Sequence, residues 1–514
     1  MSFRQSFRQI QAAIATLGHN ALDRVALALS SVLAVAAAAL ILSGDHAITR
    51  VQEFSWEARA VGAENTAFLM TFNRPMNPES VTTNLRITPP LPGKVSWSGR
   101  RMVYTLTAPI PYGETFAVSI DQARDRLSDA AEPARFEPFV GQFHSRDRAF
   151  AYIGVEGEEA GRLVLVNFSQ DGKKTLLTPS DQRVLDFQPY PLGDRILFSA
   201  IPTADLTTGN FNPVLYSVAT GLAPTPPDDF SRAVLPTSRQ PDVAGVLTPI
   251  LPSDDYQNLA FDLSANGRTI VVQRVSRTDP ADFGPWVLTE GEDPIPLETE
   301  PGGEFLIAPD SQTLLMLQGQ GTAVIPLEAV AGEDQREPLD FLPEYGRVFD
   351  VTSNGTTAAM VDFNQNNPER RFTESLMLVT NQGEETELLN VSGSINGAQF
   401  DTSNQLLFVL ASQVLPGENY VEQASLLAVR LADREIEPLV TFSPQAQVSF
   451  SVAPDGLAIL ISTTNEGAIA DATTADPIWL LPLYTTAEER LNARPVALSP
   501  EPLPYRGLQP TWLP

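Results

Sequence analysis

From about residue 143 onward the chain repeats itself, and this repeat restricts its possible folds more than any other feature. An aromatic closes a short apolar run, a turn of Pro, Asp, Asn or Gly follows four to six residues later, and a second apolar run leaves the turn. The copies are Phe187…Gly193, Phe261…Asn266-Gly267, Phe305…Pro309-Asp310, Phe349…Asn354-Gly355, Phe400…Asn404 and Phe450…Pro454-Asp455-Gly456. Successive phenylalanines stand 74, 44, 44, 51 and 50 residues apart. That rhythm, with several short strands per copy, fits a ring of four-stranded sheets, a β-propeller, better than a helical solenoid.

Six copies imply blades two to seven. The strands at 150–153, 163–168 and 174–177 form a further blade that needs one more partner, giving seven blades over 143–514. Blade seven reads as complete, with strands around Phe450, Leu460, Trp479 and Val496. The surplus strand 508–513, with Trp512, is the favoured closure of blade one. Phe143, 44 residues before Phe187, is the competing source.

Strand alternation sorts the connections by face. Within a four-stranded antiparallel blade of strands a to d, the a–b and c–d turns leave one face and the b–c and d–a loops the other. The b–c loops read as long, at 203–212, 276–284, 363–374, 411–423 and 464–476. The segment 220–256, with seven prolines from Pro224 to Pro252, reads as the d–a connection after blade two. All the excess length then falls on one face, where a rigid scaffold carries its binding loops. The polar residues expected there are Asp205, Asn210, Arg277, Asp279, Asp362, Asn364, Arg371, Glu418, Asn419, Tyr420, Asn465 and Asp471.

Composition narrows the chemistry. Cysteine is absent, which excludes disulfides, thiolate metal sites and a thiol nucleophile. Of the histidines, His19 and His46 lie beside the apolar N-terminal run, leaving His144 alone in the body without the partners that a Ser-His-Asp triad or a multi-histidine metal site would need, and it reads as a surface or linker residue. The net charge of −28 repels phosphate backbones and argues against nucleic acid. Its simplest reading is solubility. There is no G-x-S-x-G elbow, P-loop or H-E-x-x-H. Asp362-Phe363-Asn364-Gln365-Asn366-Asn367 imitates a calcium loop but lacks the central glycine and has Thr373 where a bidentate Glu belongs. No catalytic residue, metal or cofactor is nominated.

Residues 25–42, VALALSSVLAVAAAALIL, carry no charge and are near the minimum for a single membrane-spanning helix. Arg4, Arg8 and Arg24 precede this run and Asp45 follows it, so the positive-inside rule leaves residues 1–24 cytoplasmic and the body outside the inner membrane, periplasmic or extracellular. Phe3, Phe7, Ile10, Ile14 and Leu17 recur at helical spacing, as in an amphipathic helix along the inner leaflet. A cleaved signal peptide is the competing interpretation, and 43–47 is a poor cleavage site for it.

Residues 51–140 read as a small β-sandwich. Phe68, Met70 and Phe72 share one strand face, and Phe116, Val118 and Ile120 share another. Phe72, Pro75, Met76, Trp97, Tyr112 and Gly113 occupy the places of the F-x-x-P-M, Trp-strand and Tyr-Gly pattern, and the stretch resembles the bacterial Ig-like domain of the SbsA type. The usual Asp-x-x-Gly ending is replaced by Asp125-Arg126-Leu127-Ser128. This resemblance implies a surface spacer or adhesive module. FSVAPDGLAILIS, at 450–462, similarly resembles TolB-like propeller repeats.

The expectation is therefore an all-β, membrane-anchored envelope protein in which an Ig-like spacer presents a propeller whose long-loop face engages a protein or glycan. The rivals are a propeller hydrolase or lyase using axial carboxylates, which demands perturbed Asp or Glu in a deep central pocket, and an accessory to a separate envelope peptidase.

Overall fold

Alternating apolar residues bounded by Asx and glycine turns produce short strands throughout the computed structural model, which describes residues 21–42, 48–126, 136–208, 211–223, 241–319, 321–327, 340–342, 345–465 and 477–514. The chain divides into two compact units. Met1–Gln52, Phe72–Leu85 and Ile120–Phe139 form one; Glu53–Thr71, Arg86–Ser119 and Val140–Pro514 form the other.

In the first unit, residues 1–20, where the amphipathic segment was expected, lie outside the described residues. A helix runs over Ala21–Leu42, about 33 Å at the usual rise per residue. Its described apolar side chains, among them Val25, Leu29, Val32, Leu33 and Val35, are all exposed. Among the described residues, no helix is long and apolar enough to cross a membrane. The same unit holds the short helix Pro78–Asn84, where Asn77 caps the N-terminus by accepting from Ser80 N and Pro78 starts the first turn. Asp125 is buried, bridges Met76 and pairs with Arg74 at 3.2 Å.

Two four-stranded sheets follow. One orders Val51–Phe54, Ala67–Phe72, Arg101–Leu106 and Gly93–Ser98; the other orders Ala60–Val61, Phe139–Ser145, Thr115–Ile120 and Leu85–Thr88. In the second unit their facing sides meet in an aromatic core. Phe68 and Phe143 each pack edge-on against Phe54 and Trp56, and Phe116 stacks on Phe143 at 5.2 Å. The sequence reading ended this domain at residue 140, but Phe139–Ser145 is one of its strands. Phe143 belongs to the sandwich core, and His144 is an exposed strand residue paired with Ala60.

From Ala149 the described residues of the second unit form five four-stranded sheets and one seven-stranded sheet, whose two ends are the first and last of seven blades, here called sheets one to seven. The inner strands of sheets two to seven are Gln182–Pro189, Tyr256–Leu263, Phe305–Ile307, Arg347–Val351, Ile395–Phe400 and Ala446–Val452, each carrying one of the repeated phenylalanines. Their a–b turns are built alike. Asn266, Asp310, Asn354 and Asp455 each accept, through the side chain, the backbone N–H two residues ahead, at 2.8–3.1 Å.

Each sheet packs on the next. Val184, Phe187 and Phe198 of sheet two meet Leu165 of sheet one, and the apolar clusters continue around to the seventh, where Leu460 and Ile478 meet Phe150 and Val164 of the first. A row of sheets whose last packs on its first is a closed ring, so this part of the chain is a seven-bladed β-propeller. The second strands of sheets three, six and seven are buried on both faces over most of their length, which explains continuous apolar runs such as Leu406–Val414.

One strand closes the ring. Glu501–Trp512 pairs through its first half with Pro477–Pro482 of sheet seven and through its second half with Ala149–Gly154 of sheet one, bringing Trp512 opposite Phe150. Val496, expected in the fourth strand of blade seven, precedes it. Thr486 opens a capped helix at Ala487–Leu491, and the fourth strand begins only at Glu501.

The segment 220–256 also requires correction. Leu247–Leu251 pairs with Val214–Ala219 as the outer strand of sheet two, so 220–246 is a c–d connection and leaves the face opposite the b–c loops. The third strand of that sheet must be covered before the chain moves on, and the d–a step that follows, 252–255, is short. The connection 327–339 in sheet four is also c–d. Excess length is therefore divided between the two faces.

Candidate functional site

The ring's axis is lined by inner strands, each with an edge whose N–H groups have no strand beside them. The side chain next to the repeated phenylalanine satisfies the following blade. Asp262 accepts from Ile307 N at 2.6 Å, Asp350 from Phe400 N at 2.8 Å, Gln399 from Val452 N at 3.1 Å, and Ser451 from Trp512 N at 3.1 Å. Gln188 Nε2 reaches Asp262 at 2.9 Å. This belt satisfies backbone donors that would otherwise be buried without partners.

Burial raises the carboxyl pKa of Asp186, Asp262 and Asp350, that of Asp350 to about 6 despite bonds from Val351 N and Phe400 N. Since the folded pKa lies above the ordinary one, the folded protein takes the proton first. Stability therefore rises as pH falls through 6 towards 3.8, by about 2–3 kcal/mol from this group. In urea unfolding at pH 7.5 and 5.0, the parent should gain more on acidification than Asp350→Asn by about 1–1.5 kcal/mol, the part of that range lying above pH 5. Equal gains would refute the assignment.

The two faces differ. At the a–b turns, Tyr112 N of the sandwich donates to Asp455 Oδ2 at 3.1 Å. Arg490 Nη2 bridges Pro109 O at 2.5 Å and Asp455 O at 3.2 Å, and Arg146 reaches Pro191 O at 3.4 Å. The sandwich thus occupies part of that face, and the b–c loops rise from the other.

The nominated residues do not converge. Arg277 is tied to Ser253 O at 2.8 Å, and Asp279 closes its own turn onto Ala281 N. Asp362 caps Asn364 N; Asn364 is buried at positive φ and donates to Thr373 and Ser375, so the calcium-like loop is organised by its own amide. Among the described residues, no group of three His, Cys, Asp or Glu is placed to hold a metal. Asp205 lies in the helix Thr203–Thr208, and Arg371 and Asn419 are exposed. The backbone of Asn465 pairs with Ala446. Asn210, Asp471 and the loop 466–476 lie outside the described residues. Tyr420 lines a cavity.

That cavity, about 380 Å³, lies between sheets six and seven on the b–c face, lined by Asn396, Ser412, Tyr420, Glu422, Gln445 and Gln447 among others. Asn396 Nδ2 donates to Ser412 Oγ at 2.8 Å, Ser394 Oγ to Glu422 Oε1 at 3.2 Å, and the Tyr420 hydroxyl to the Glu422 carboxylate. This last bond, followed by burial, raises the Tyr420 pKa. Asn396, Leu410 and Val448 also line a second cavity of about 470 Å³, walled by inner-strand residues including Phe349, Asp350, Gln399 and Phe450. Sequence reasoning did not single out Asn396, Ser412, Glu422, Gln445 and Gln447: Ser412 and Glu422 belong to strands although they fall within 411–423, read as a loop, Asn396 and Gln447 are strand residues, and Gln445 sits in the turn before Ala446–Val452. Asn396-Gly397, just ahead of Phe400, was the one available signal.

No family model matches the sequence, nor does any curated protein. Among solved structures, TolB from Acinetobacter baumannii is similar at 11% identity and TM-score 0.37, covering 70% of this chain and 81% of that one. Oligogalacturonate lyase from Vibrio parahaemolyticus is similar at 9% identity and TM-score 0.43, covering 73% and 99%. Prolyl oligopeptidase B from Galerina marginata is similar at 9% identity and TM-score 0.40, covering 65% and 49%. The propeller assignment rests on the chain's own sheet order and ring closure.

Proposed function

We propose that this chain is a membrane-anchored binding and scaffold protein of the cell envelope, with its N-terminus cytoplasmic and its body outside the inner membrane. The anchor is the charge-free run 25–42, which follows Arg4, Arg8 and Arg24 and whose described apolar side chains are exposed. The SbsA-type Ig-like reading supports a spacer that follows the anchor in the chain and contacts the ring at its a–b turns. The partner, a protein or glycan, engages the opposite face.

One observation carries this reading: three b–c loops of that face present exposed apolar side chains. Phe211 is 52% exposed, Phe372 88% and Tyr420 70%. Phe372 is held at φ 86, a conformation costly for a bulky residue. Its loop is fixed beneath it by Asn364 and by the Arg370–Glu387 pair. Strain spent to expose an aromatic suits a contact made with a partner.

Phe372→Ala combined with Tyr420→Ala should reduce crosslinked capture of envelope components from intact membranes by about tenfold, while the melting temperature stays level. Unchanged capture would overturn the proposal, and protease shaving of whole cells tests the sidedness.

The hydrolase or lyase reading draws on Asp350, a raised carboxyl beside the axial cavity. Both its oxygens already accept backbone N–H groups, from Val351 and Phe400. Binding is therefore the better-supported function.

A further inference from the structure

We propose that the cleft between sheets six and seven binds a neutral oligosaccharide. This inference rests on the binding-protein reading and names the ligand class for one part of the open face. The lining supplies three carboxamides, Asn396, Gln445 and Gln447, the hydroxyl of Ser412, and the Tyr420–Glu422 pair, with no lysine or arginine. An anionic ligand finds no counter-charge there and meets Glu422. A cationic ligand finds a single carboxylate already accepting from Tyr420 and Ser394.

Carboxamides present a donor and an acceptor side by side, matching adjacent sugar hydroxyls, each of which both donates and accepts. The side-chain amides of Gln445 and Gln447 are exposed and have no hydrogen-bond partner among the described residues. At the rim, the exposed Tyr420 ring offers an amphipathic surface for the apolar face of a pyranose.

The cleft is pre-organised. Gln445 is held at φ 60 with its N–H on Glu422 O at 2.9 Å, and Asn396 is fixed on Ser412. Ordering entropy is thus already spent before a ligand arrives. The shared wall of Asn396, Leu410 and Val448 continues into the axial cavity, where Gln399, Ser449 and the Phe450 ring supply the same chemistry. A lining that extends past one ring's length calls for an oligomer over a monosaccharide.

The test is calorimetric titration of the full chain in lipid nanodiscs, so that no glycoside detergent competes. The probes are maltotetraose, cellotetraose, mannotetraose and chitotetraose, with tetragalacturonate as the charged control. One neutral tetrasaccharide should bind and tetragalacturonate should not. Asn396→Ala, Gln447→Ala and Tyr420→Ala should each weaken binding about tenfold, while Tyr420→Phe, which keeps the ring, and Ile295→Ala, exposed on the outer strand of sheet three, should leave it within about threefold. Because Gln447 is exposed, its replacement does not threaten the fold.

Failure of all four neutral sugars to bind at millimolar concentration, equal binding of tetragalacturonate, or affinity indifferent to the cleft substitutions would each overturn the inference. If sugar binding is absent while membrane capture still depends on Phe372, the inference falls and the binding-protein reading stands.

Discussion

Deleting residues 507–514 is expected to abolish cooperative unfolding of the ring and leave an aggregating chain. This short terminal segment is the inner strand of sheet one. Its removal opens the paired edge of Ala149–Gly154 and uncovers the clusters on both faces of that sheet. Trp512 is 4% exposed, packs edge-on against Phe150 at 5.9 Å and lies beneath the Arg148 guanidinium; Leu513 is 1% exposed, and its N–H donates to Ala149 O at 3.0 Å.

Losing a buried Trp costs about 3–5 kcal/mol and a buried Leu about 2–5 kcal/mol, against roughly 5–15 kcal/mol of total stability. The strand also approaches closely at Gly507, where a Cβ would press into the Tyr152 ring and lie 2.7 Å from Ile153 O. Trp512→Ala should lower stability by about 3–5 kcal/mol, read by urea unfolding, with Gly507→Ala in the same direction. A truncated chain that melts cooperatively within a few degrees of the parent would show that the ring does not depend on this closure.

Asp455→Ala is expected to cost about 3–5 kcal/mol and to loosen the sandwich from the ring. Asp455 is 1% exposed. Oδ1 accepts from Leu457 N and Oδ2 from Tyr112 N, both at 3.1 Å, and its carbonyl takes Arg490 Nη2. Removing the carboxylate leaves the Tyr112 N–H without an acceptor and the partly buried Arg490 without its compensating charge. Burial lowers the pKa of Arg490, and Asp455 is the first group opposing that shift. Asp455→Asn keeps one acceptor and should cost about 1–3 kcal/mol. Limited proteolysis between Ser145 and Ala149 reads the loosening. Unaltered cleavage together with an unaltered melting temperature would mean that the sandwich is held elsewhere.

Some of this was legible in the sequence because it is local. The spacing of Phe261, Phe305 and Phe349 marks successive inner strands, since each must place an aromatic between neighbouring sheets. Asn266, Asp310, Asn354 and Asp455 announce their turns through bonds to residues two positions ahead. Trp512 was identifiable as the closing strand because blade one lacked a partner. Residues 51–140 were read as a small β-sandwich from their alternating apolar faces, and two four-stranded sheets stand there, one of them extending to Ser145.

Other features were not legible because they depend on partners distant in sequence. Nothing near residue 247 distinguishes an outer strand from a loop. Leu247–Leu251 becomes a strand by pairing with Val214–Ala219, and that pairing transfers 220–246 to the opposite face. The raised carboxyls of Asp262 and Asp350 look like candidate acids in isolation. Their roles are set by the backbone N–H groups of Ile307 and Phe400, 45 and 50 residues away. The loop residues Arg277 and Asp279 were chosen as polar members of long loops, and the structure occupies Arg277 with Ser253 O, 24 residues away, and Asp279 with its own turn.

Sequence alone determined the all-β character, the period of the ring, the apolar N-terminal run and the poverty of catalytic side chains, because strand alternation, turn chemistry and composition act over a few residues. Only the tertiary structure decided which connection belongs to which face, which carboxylates are engaged by backbone donors, and that Asn396, Gln445, Gln447 and Tyr420 share one cleft. Those outcomes depend on strand pairing and on packing between adjacent sheets, which bring together residues that no local pattern links.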